Sequence, residues 1–456
     1  MDTNKIKRFI LLAGDIIILY FSLWLTLAVR YMKLVDQESW SKHWLPFTVL
    51  FVVWLAVFFI NKMYDISIAQ NNVKFFSIAL SSLAWCAVVG IVFFYIATTG
   101  ISPKTILALD IIIFGIIFIW WRRVFNQMVV NKKFRENAVI VGLTKETLNL
   151  AKKINSKPQW GLRVIAIVKS DQDDFDFQDD SMKIINSSQE LGSFLKAEQI
   201  KTIIIDPRIK DYPDLINEIY KGLNMKLNIF DLPGFAEKFT GKILINTIGQ
   251  MWFLENIKES SKQFYEILKR LVDILFALIL LLVSAPFLPF IYIAIKINSS
   301  GPGFFMQVRV GKNGKQFMAI KFRTMYVNSE QNGPQWAKPE DPRVTRVGKF
   351  LRQSRIDEIP QLINVLKGEM SFIGPRPERP EFIERLREII PFYDVRLLIK
   401  PGLTGWAQVN FPYGYSEKDA LEKLQYDLYY IKNRSFIVDV SILLKTIKTV
   451  LSGEGH

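Results

Sequence analysis

The sequence predicts a membrane protein of mixed architecture: a four-helix transmembrane bundle, an α/β middle domain and a mainly α C-terminal domain carrying a re-entrant membrane helix. Three observations carry this reading. Apolar runs close to the ~20 residues a spanning helix needs recur before residue 125. Short buried-strand runs then alternate with helical stretches. A further apolar run near residue 280 is interrupted by prolines, which bend a helix.

Composition agrees. Of 456 residues, 50% are hydrophobic, 35 are Phe and 11 are Trp. The mean hydropathy is +0.18, high for a water-soluble chain of this size. The formal net charge of +15 points to an anionic membrane face or to phosphorylated ligands. No zinc finger, recognition helix or aromatic base-stacking platform is legible, so nucleic acid is not expected as a partner. Cys86 is the only cysteine, which excludes an intrachain disulfide and CxxC metal sites. The only histidines are His43 and His456, so histidine general-base and HExxH zinc chemistry are not expected. Chemistry must use carboxylates, Lys and Arg, hydroxyls and a hard metal.

The first apolar run, Phe9–Val29, follows a short basic start and lacks a small-residue cleavage site, so it reads as a retained helix. Runs Leu45–Ile60, Phe75–Ile96 and Ile106–Trp121 complete a bundle over 1–125. Basic residues precede the first run (Lys5, Lys7, Arg8), lie between the second and third (Lys62, Lys74) and follow the fourth (Arg122, Arg123, Lys132, Lys133, Arg135). By the positive-inside rule both ends of the bundle face the cytoplasm. Asp15, inside the first helix, is expected to meet a polar partner in the bundle.

From residue 136 the pattern is α/β. The runs Ala138–Gly142, Arg163–Val168 and Thr202–Asp206 are buried strands separated by helical stretches, which suggests a parallel, Rossmann-like sheet over 136–240. The first strand ends in Gly142, but the continuation Gly-Leu-Thr-Lys-Glu-Thr lacks the further glycines of the dinucleotide fingerprint. A structural or regulatory domain is expected here. The acidic stretch Ser170–Asp180 is expected to be a solvated loop, and 241–261 a connector.

The run Leu271–Ile295 is long enough to span, yet both flanks are basic: Lys269 and Arg270 before, Lys296, Arg309, Lys312 and Lys315 after. Pro286 and Pro289 lie within it. A helix that enters at about 271, breaks near Ser284–Pro289 and returns to the same face by about 296 accounts for flanks and prolines together; the alternative, an ordinary kinked fifth span, would put the residues after it outside the cell. Ser284 is placed to cap the carbonyls that the prolines free.

The informative polar residues follow. They lie in Lys321–Met325 (KFRTM), Asp341–Arg352, Ser354–Phe382 and Lys400–Asn410. In Asp357-Glu358-Ile359-Pro360-Gln361 the proline suits a first helical turn, and Ile359, Ile363 and Leu366 continue an apolar face. Two carboxylates at a helix start repel each other, and a hard cation such as Mg²⁺ shared with substrate phosphates relieves that repulsion. One of the pair can then attack phosphorus. Lys321, Arg323, Arg343, Arg346, Arg352, Arg376 and Arg379 supply charge suited to phosphate oxygens. Asp-Glu pairs are also common helix starts, and basic clusters beside membranes also contact headgroups, so the residues alone leave both readings open.

In motif order the segment Lys262–His456 resembles the bacterial sugar transferases, the monotopic phosphoglycosyl transferases: a basic start, a proline-broken apolar helix, KFRTM, LR…DEIPQ, GPRP, PGLTGWAQVN and YDLYYIKNRS at Tyr426–Ser435. The bundle and middle domain resemble the long, polyprenyl glycosylphosphotransferase form. The resemblance implies a catalytic domain over 262–456 that moves a sugar-1-phosphate from a UDP-sugar to undecaprenyl or another polyprenyl phosphate, releasing UMP and starting polysaccharide or glycoconjugate assembly. It implies Asp357 as nucleophile and Glu358 as the acid that helps hold Mg²⁺. Lys321, Arg323, Arg352, Gln361 and Arg376 match positions that shape the phosphate and nucleotide site; Ser284 and Pro286 match the helix break. The usual Ser-Pro is Ser-Ala-Pro here, and Ile359 replaces the usual Leu. The site is expected at the cytoplasmic face of a bacterial inner membrane, in contact with lipid, in a chain that can homodimerise through its middle domain. Two other functions compete, a membrane phosphatase or pyrophosphatase using an aspartyl-phosphate, and a non-catalytic assembly protein.

Overall fold

The computed structural model describes residues 3–96, 104–131, 135–169, 182–186, 188–207, 213–225, 227–259, 262–327, 329, 333, 335, 341–411, 414 and 416–451. The chain forms two compact units, Met1–Phe235 and Ala236–His456.

The first unit begins with α1 (Thr3–Tyr31), α2 (Gln37–Ile60), α3 (Val73–Ile96) and α4 (Lys104–Val130), each long and apolar enough to cross a membrane. Aromatic side chains fill the bundle core: Phe47, Trp54 and Phe58 of α2 pack with Phe75 of α3 and with Phe114 and Phe118 of α4, all within 2% of full burial. Large apolar side chains such as Phe9, Val52, Ile91 and Trp120 point outward, as a lipid-facing surface requires. The spans outrun the apolar runs. α4 continues past Trp121 because Arg122, 1% exposed, donates to Asp15 of α1 and to the Met63 carbonyl (2.8 Å). Asp15 thus has the polar partner expected of it. Removing one member of a buried pair strands the other charge and typically costs about 3–5 kcal/mol. Arg122→Ala should therefore lower the unfolding midpoint of the bundle in detergent, and Asp15→Leu added to it should recover much of the loss.

The α/β part of this unit follows as β1 (Glu136–Val141), α5 (Lys145–Asn155), β2 (Leu162–Val168), β3 (Lys183–Ile185), α6 (Ser188–Ala197), β4 (Thr202–Ile205), α7 (Pro213–Lys221) and β5 (Asn228–Asp231). The strands form one parallel sheet in the order β3-β2-β1-β4-β5. The apolar runs read as strands are β1, β2 and β4, buried on both faces. The stretch Ser170–Asp180 lies outside the described residues. The turn after β1 is tight: Gly142 has φ +103° and a Cβ there would lie 2.8 Å from that of Asp206. Thr144 caps α5: its Oγ1 accepts from Thr147 N (3.1 Å), and its own N donates to Thr147 Oγ1 (2.8 Å).

Helix α8 (Leu232–Thr240) leads into the second unit, which continues with α9 (Gln250–Asn256), α10 (Gln263–Ser284) and α11 (Leu288–Asn298). Ile243 and Ile245, in the segment read as a connector, are buried in this unit's core. α10 and α11 are bent by 64° across Ala285–Phe287, where Pro286 lies, and Ser284 Oγ donates to the Leu281 carbonyl (3.2 Å). The pair exposes Leu275, Leu278, Leu282, Phe287, Phe290 and Ile293. The antiparallel hairpin of β6 (Phe304–Val310) and β7 (Gln316–Phe322) follows, then α12 (Arg346–Gln353), a 3₁₀ turn (Ile356–Gln361) and α13 (Leu362–Lys367). The rest is β8 (Ser371–Ile373), α14 (Pro380–Ile389), a second 3₁₀ turn (Tyr393–Leu398), β9 (Gly402–Thr404), α15 (Trp406–Asn410), α16 (Glu417–Asn433) and α17 (Phe436–Leu451).

Candidate active site

Asp357 and Glu358 occupy the first 3₁₀ turn rather than the start of an α-helix. Arg355 precedes them with φ +57°, a left-handed residue that turns the chain sharply after α12. Pro360, which has no N–H to donate, lies within this segment, and α13 takes over from Leu362. Both carboxylates are buried, at 7% and 9% exposure.

Three cations surround Glu358. Arg376 Nη2 donates to Oε1 at 2.8 Å, Lys321 Nζ lies 3.3 Å from the same oxygen, and Arg355 Nη1 lies 3.4 Å from Oε2. Burial alone would push the Glu358 carboxyl up, but Arg376, Lys321 and Arg355 outweigh it and hold it well below the usual carboxylate range. Asp357 behaves oppositely. Burial, then the neighbouring Glu358 charge, pushes it up to about 6, against the pull of Lys321, Arg352 and Arg376. Among the described residues no hydrogen bond to the Asp357 carboxylate is seen, so the environment separates one permanently charged acid from one near neutrality. Lys321 is pushed down to about 8, chiefly by burial.

The fold delivers these groups from separate elements. Lys321 comes from β7, tied to α13 by the fully buried Asn364: its Nδ2 donates to the Met318 carbonyl (2.7 Å) and its Oδ1 accepts from Ile320 N (3.2 Å). Arg376 comes from the Gly374-Pro375-Arg376-Pro377 turn after β8. That turn lies against β9 closely enough that a Cβ on Gly374 would fall 2.3 Å from the Lys400 carbonyl. Any side chain at position 374 would therefore push Arg376 away.

The other sequence-derived candidates separate. Arg352 Nε donates to Thr324 Oγ1 (2.9 Å), and its charge acts on Asp357. Gln361 is buried, and its Nε2 has no partner among the described residues. Arg323 is directed elsewhere: its guanidinium donates to the carbonyls of Ser299 (2.6 Å) and Ser300 (2.8 Å) after α11. Arg343 pairs with Asp341 and Arg379 with Glu381. Arg355 and Asn364 belong to the cluster without having been singled out by sequence. A basic residue three before an acid is too common to flag, and Asn364 acts through a strand more than 40 positions away.

No group of three or more acidic, His or Cys side chains suited to a metal is present among the described residues. Two hard carboxylates do suit an ion that takes its other ligands from phosphate and water, as Mg²⁺ does. Of the Glu358 oxygens, Oε2 has the longer contact, 3.4 Å to Arg355 Nη1.

The second unit thus carries a proline-broken apolar helix and a buried acid pair ringed by Lys and Arg. Comparison with known proteins places it. A family model described as bacterial sugar transferase matches residues 264–453, and one described as CoA-binding domain matches residues 60–215. The UDP-N-acetylgalactosamine-undecaprenyl-phosphate N-acetylgalactosaminephosphotransferase of Aeromonas hydrophila is 40% identical over 270 residues, 55% of this chain and 64% of that protein. The UDP-glucose:undecaprenyl-phosphate glucose-1-phosphate transferase of Escherichia coli is 44% identical over 185 residues, 40% of this chain and 39% of that protein. An uncharacterized sugar transferase of Haemophilus influenzae is 30% identical over 344 residues, 71% of this chain and 70% of that protein. The chain spans less than two thirds of the first two relatives. It belongs to the bacterial sugar transferase family.

Proposed function

We propose that this chain transfers a sugar-1-phosphate from a UDP-sugar to undecaprenyl phosphate, or a similar polyprenyl phosphate, through a covalent intermediate on Asp357. The observation that carries the reading is the electrostatic split between the two acids. With its titration near 6, Asp357 is mostly ionised at neutral pH yet poorly solvated, which suits a nucleophile. An Asp357 oxygen attacks the phosphorus bearing the sugar, and the bond from that phosphorus to the UMP oxygen breaks. UMP leaves with the electron pair. An oxygen of the lipid phosphate then attacks the same phosphorus and releases the carboxylate, giving the diphosphate-linked lipid sugar.

Lys321, Arg352 and Arg376 are placed to bind the phosphate oxygens as charge builds on them. Mg²⁺, when held by Glu358 and the substrate's phosphates, would neutralise charge on the departing UMP. Gln361, with a free buried amide, is read as a donor to substrate, and Arg323 as a support of the α11 exit rather than a ligand.

The bent pair α10–α11 is read as a re-entrant helix. Its 64° bend, outward apolar side chains and two basic flanks support entry and exit at one face. With four spans before it, the domain 262–456 lies at the cytoplasmic face of the inner membrane, where nucleotide sugars and the lipid phosphate meet. The strand order β3-β2-β1-β4-β5 supports a Rossmann-like middle domain over 136–240. The continuation after Gly142 lacks the further glycines of the dinucleotide fingerprint, so a regulatory or homodimer-forming role is preferred to cofactor binding. The relatives' names cite different sugars, and the sugar here is open.

Membranes containing the chain should release UMP from one UDP-sugar of a panel, with turnover dependent on added undecaprenyl phosphate. Release of inorganic phosphate instead would favour the phosphatase reading.

A further inference from the structure

The turn that presents Arg376 has an unusual demand for donors. Pro375 and Pro377 have no N–H, and proline after Arg376 also limits the backbone that Arg376 can adopt. Three successive carbonyls of this turn are each held from outside it: Pro375 O by Gly402 N (2.9 Å), Arg376 O by Arg396 Nη2 (2.8 Å) and Pro377 O by Arg309 Nη1 (3.1 Å). Arg396 is the one that grips the residue whose guanidinium reaches Glu358.

Arg396 is itself fixed. It is 7% exposed in the second 3₁₀ turn, with Nη1 donating to Tyr393 Oη (2.6 Å) and Nη2 also donating to Asp427 Oδ2 of α16 (3.1 Å). Asp427 is 2% exposed, and Glu378 and Lys423 complete the charges that act on it. A plain buried ion pair would need only the Asp427 contact. The fork of a guanidinium is what lets one side chain serve the carboxylate, the phenol and the Arg376 carbonyl together.

We infer that Arg396, braced by Asp427 and Tyr393, is a positioning residue that sets the reach of Arg376 to Glu358. This rests on the transferase reading for its kinetic consequence. A shift of about 1 Å in such a group costs on the order of a hundredfold in rate.

The test is Arg396→Lys, which keeps the charge beside Asp427 but not the fork. With the UDP-sugar that supports UMP release and undecaprenyl phosphate, kcat should fall by about ten- to a hundredfold with little change in KM. On an Arg376→Met background the same change should cost little more, since the two act as one unit. If Arg396→Lys does not fold, the neutral pair Arg396→Gln with Asp427→Asn should show the same pattern. A lower unfolding midpoint with kcat and KM per folded enzyme unchanged would reduce Arg396 to a structural ion pair. Failure of the transferase reading appears separately, as no UMP release by the unaltered chain.

Discussion

Asp357→Asn is expected to abolish turnover, by at least about 10⁴-fold in UMP release, while leaving the chain folded. The change is nearly isosteric, and Asp357 makes no hydrogen bond among the described residues that an amide would break. Its loss also removes one of two adjacent buried negative charges, so stability should hold or rise. What disappears is the attacking oxygen. Covalent chemistry splits the reaction in two, so the variant should lose the first half as well as the whole. Incubation with UDP-sugar labelled in the sugar, without lipid, should place label on the unaltered protein and none on the variant. A variant that keeps a tenth of the UMP release, or still takes up label, would remove Asp357 from the mechanism.

How much of this was legible in the sequence depends on which physical signal each part leaves. The spans are legible because a helix in lipid must satisfy its own backbone and be apolar throughout. Their ends are less so: α4 was read as stopping before Arg122, yet that arginine is inside the bundle because Asp15 meets it there. β1, β2 and β4 stand out as continuous apolar runs. β3 has three residues and β5 is a mostly exposed edge strand, and neither carries a pattern. At the site, the Asp-Glu pair and the basic motifs are local and could be read; their arrangement could not. Lys321 and Arg323 differ by two positions, which would place them on one face of a continued strand. β7 ends at Phe322, so Arg323 leaves that alternation and turns back to Ser299 and Ser300. Arg355 takes a left-handed conformation that composition does not announce, and the Arg396–Asp427 pair joins elements 31 residues apart.

Glu358→Gln should reduce kcat by about 10²- to 10³-fold and, at the same time, move the acid limb of kcat/KM to lower pH. The two effects have separate causes. The loss of rate follows from geometry: Arg376, Lys321 and Arg355 converge on this carboxylate, and a neutral amide cannot anchor three cations. The shift in the limb follows from charge. In the unaltered chain Asp357 sits near 6 because burial and the Glu358 charge both raise it. With Asp357 as the proposed nucleophile, the ionised form is present above that value and lost as pH falls through it, and the rate should decline below about 6. Taking away the Glu358 charge removes one of the two raising influences and leaves Lys321, Arg352 and Arg376 to act on Asp357, so protonation should begin at lower pH. Should Glu358→Gln leave the limb in place, the titrating group is not Asp357, and the division of labour between the two acids fails.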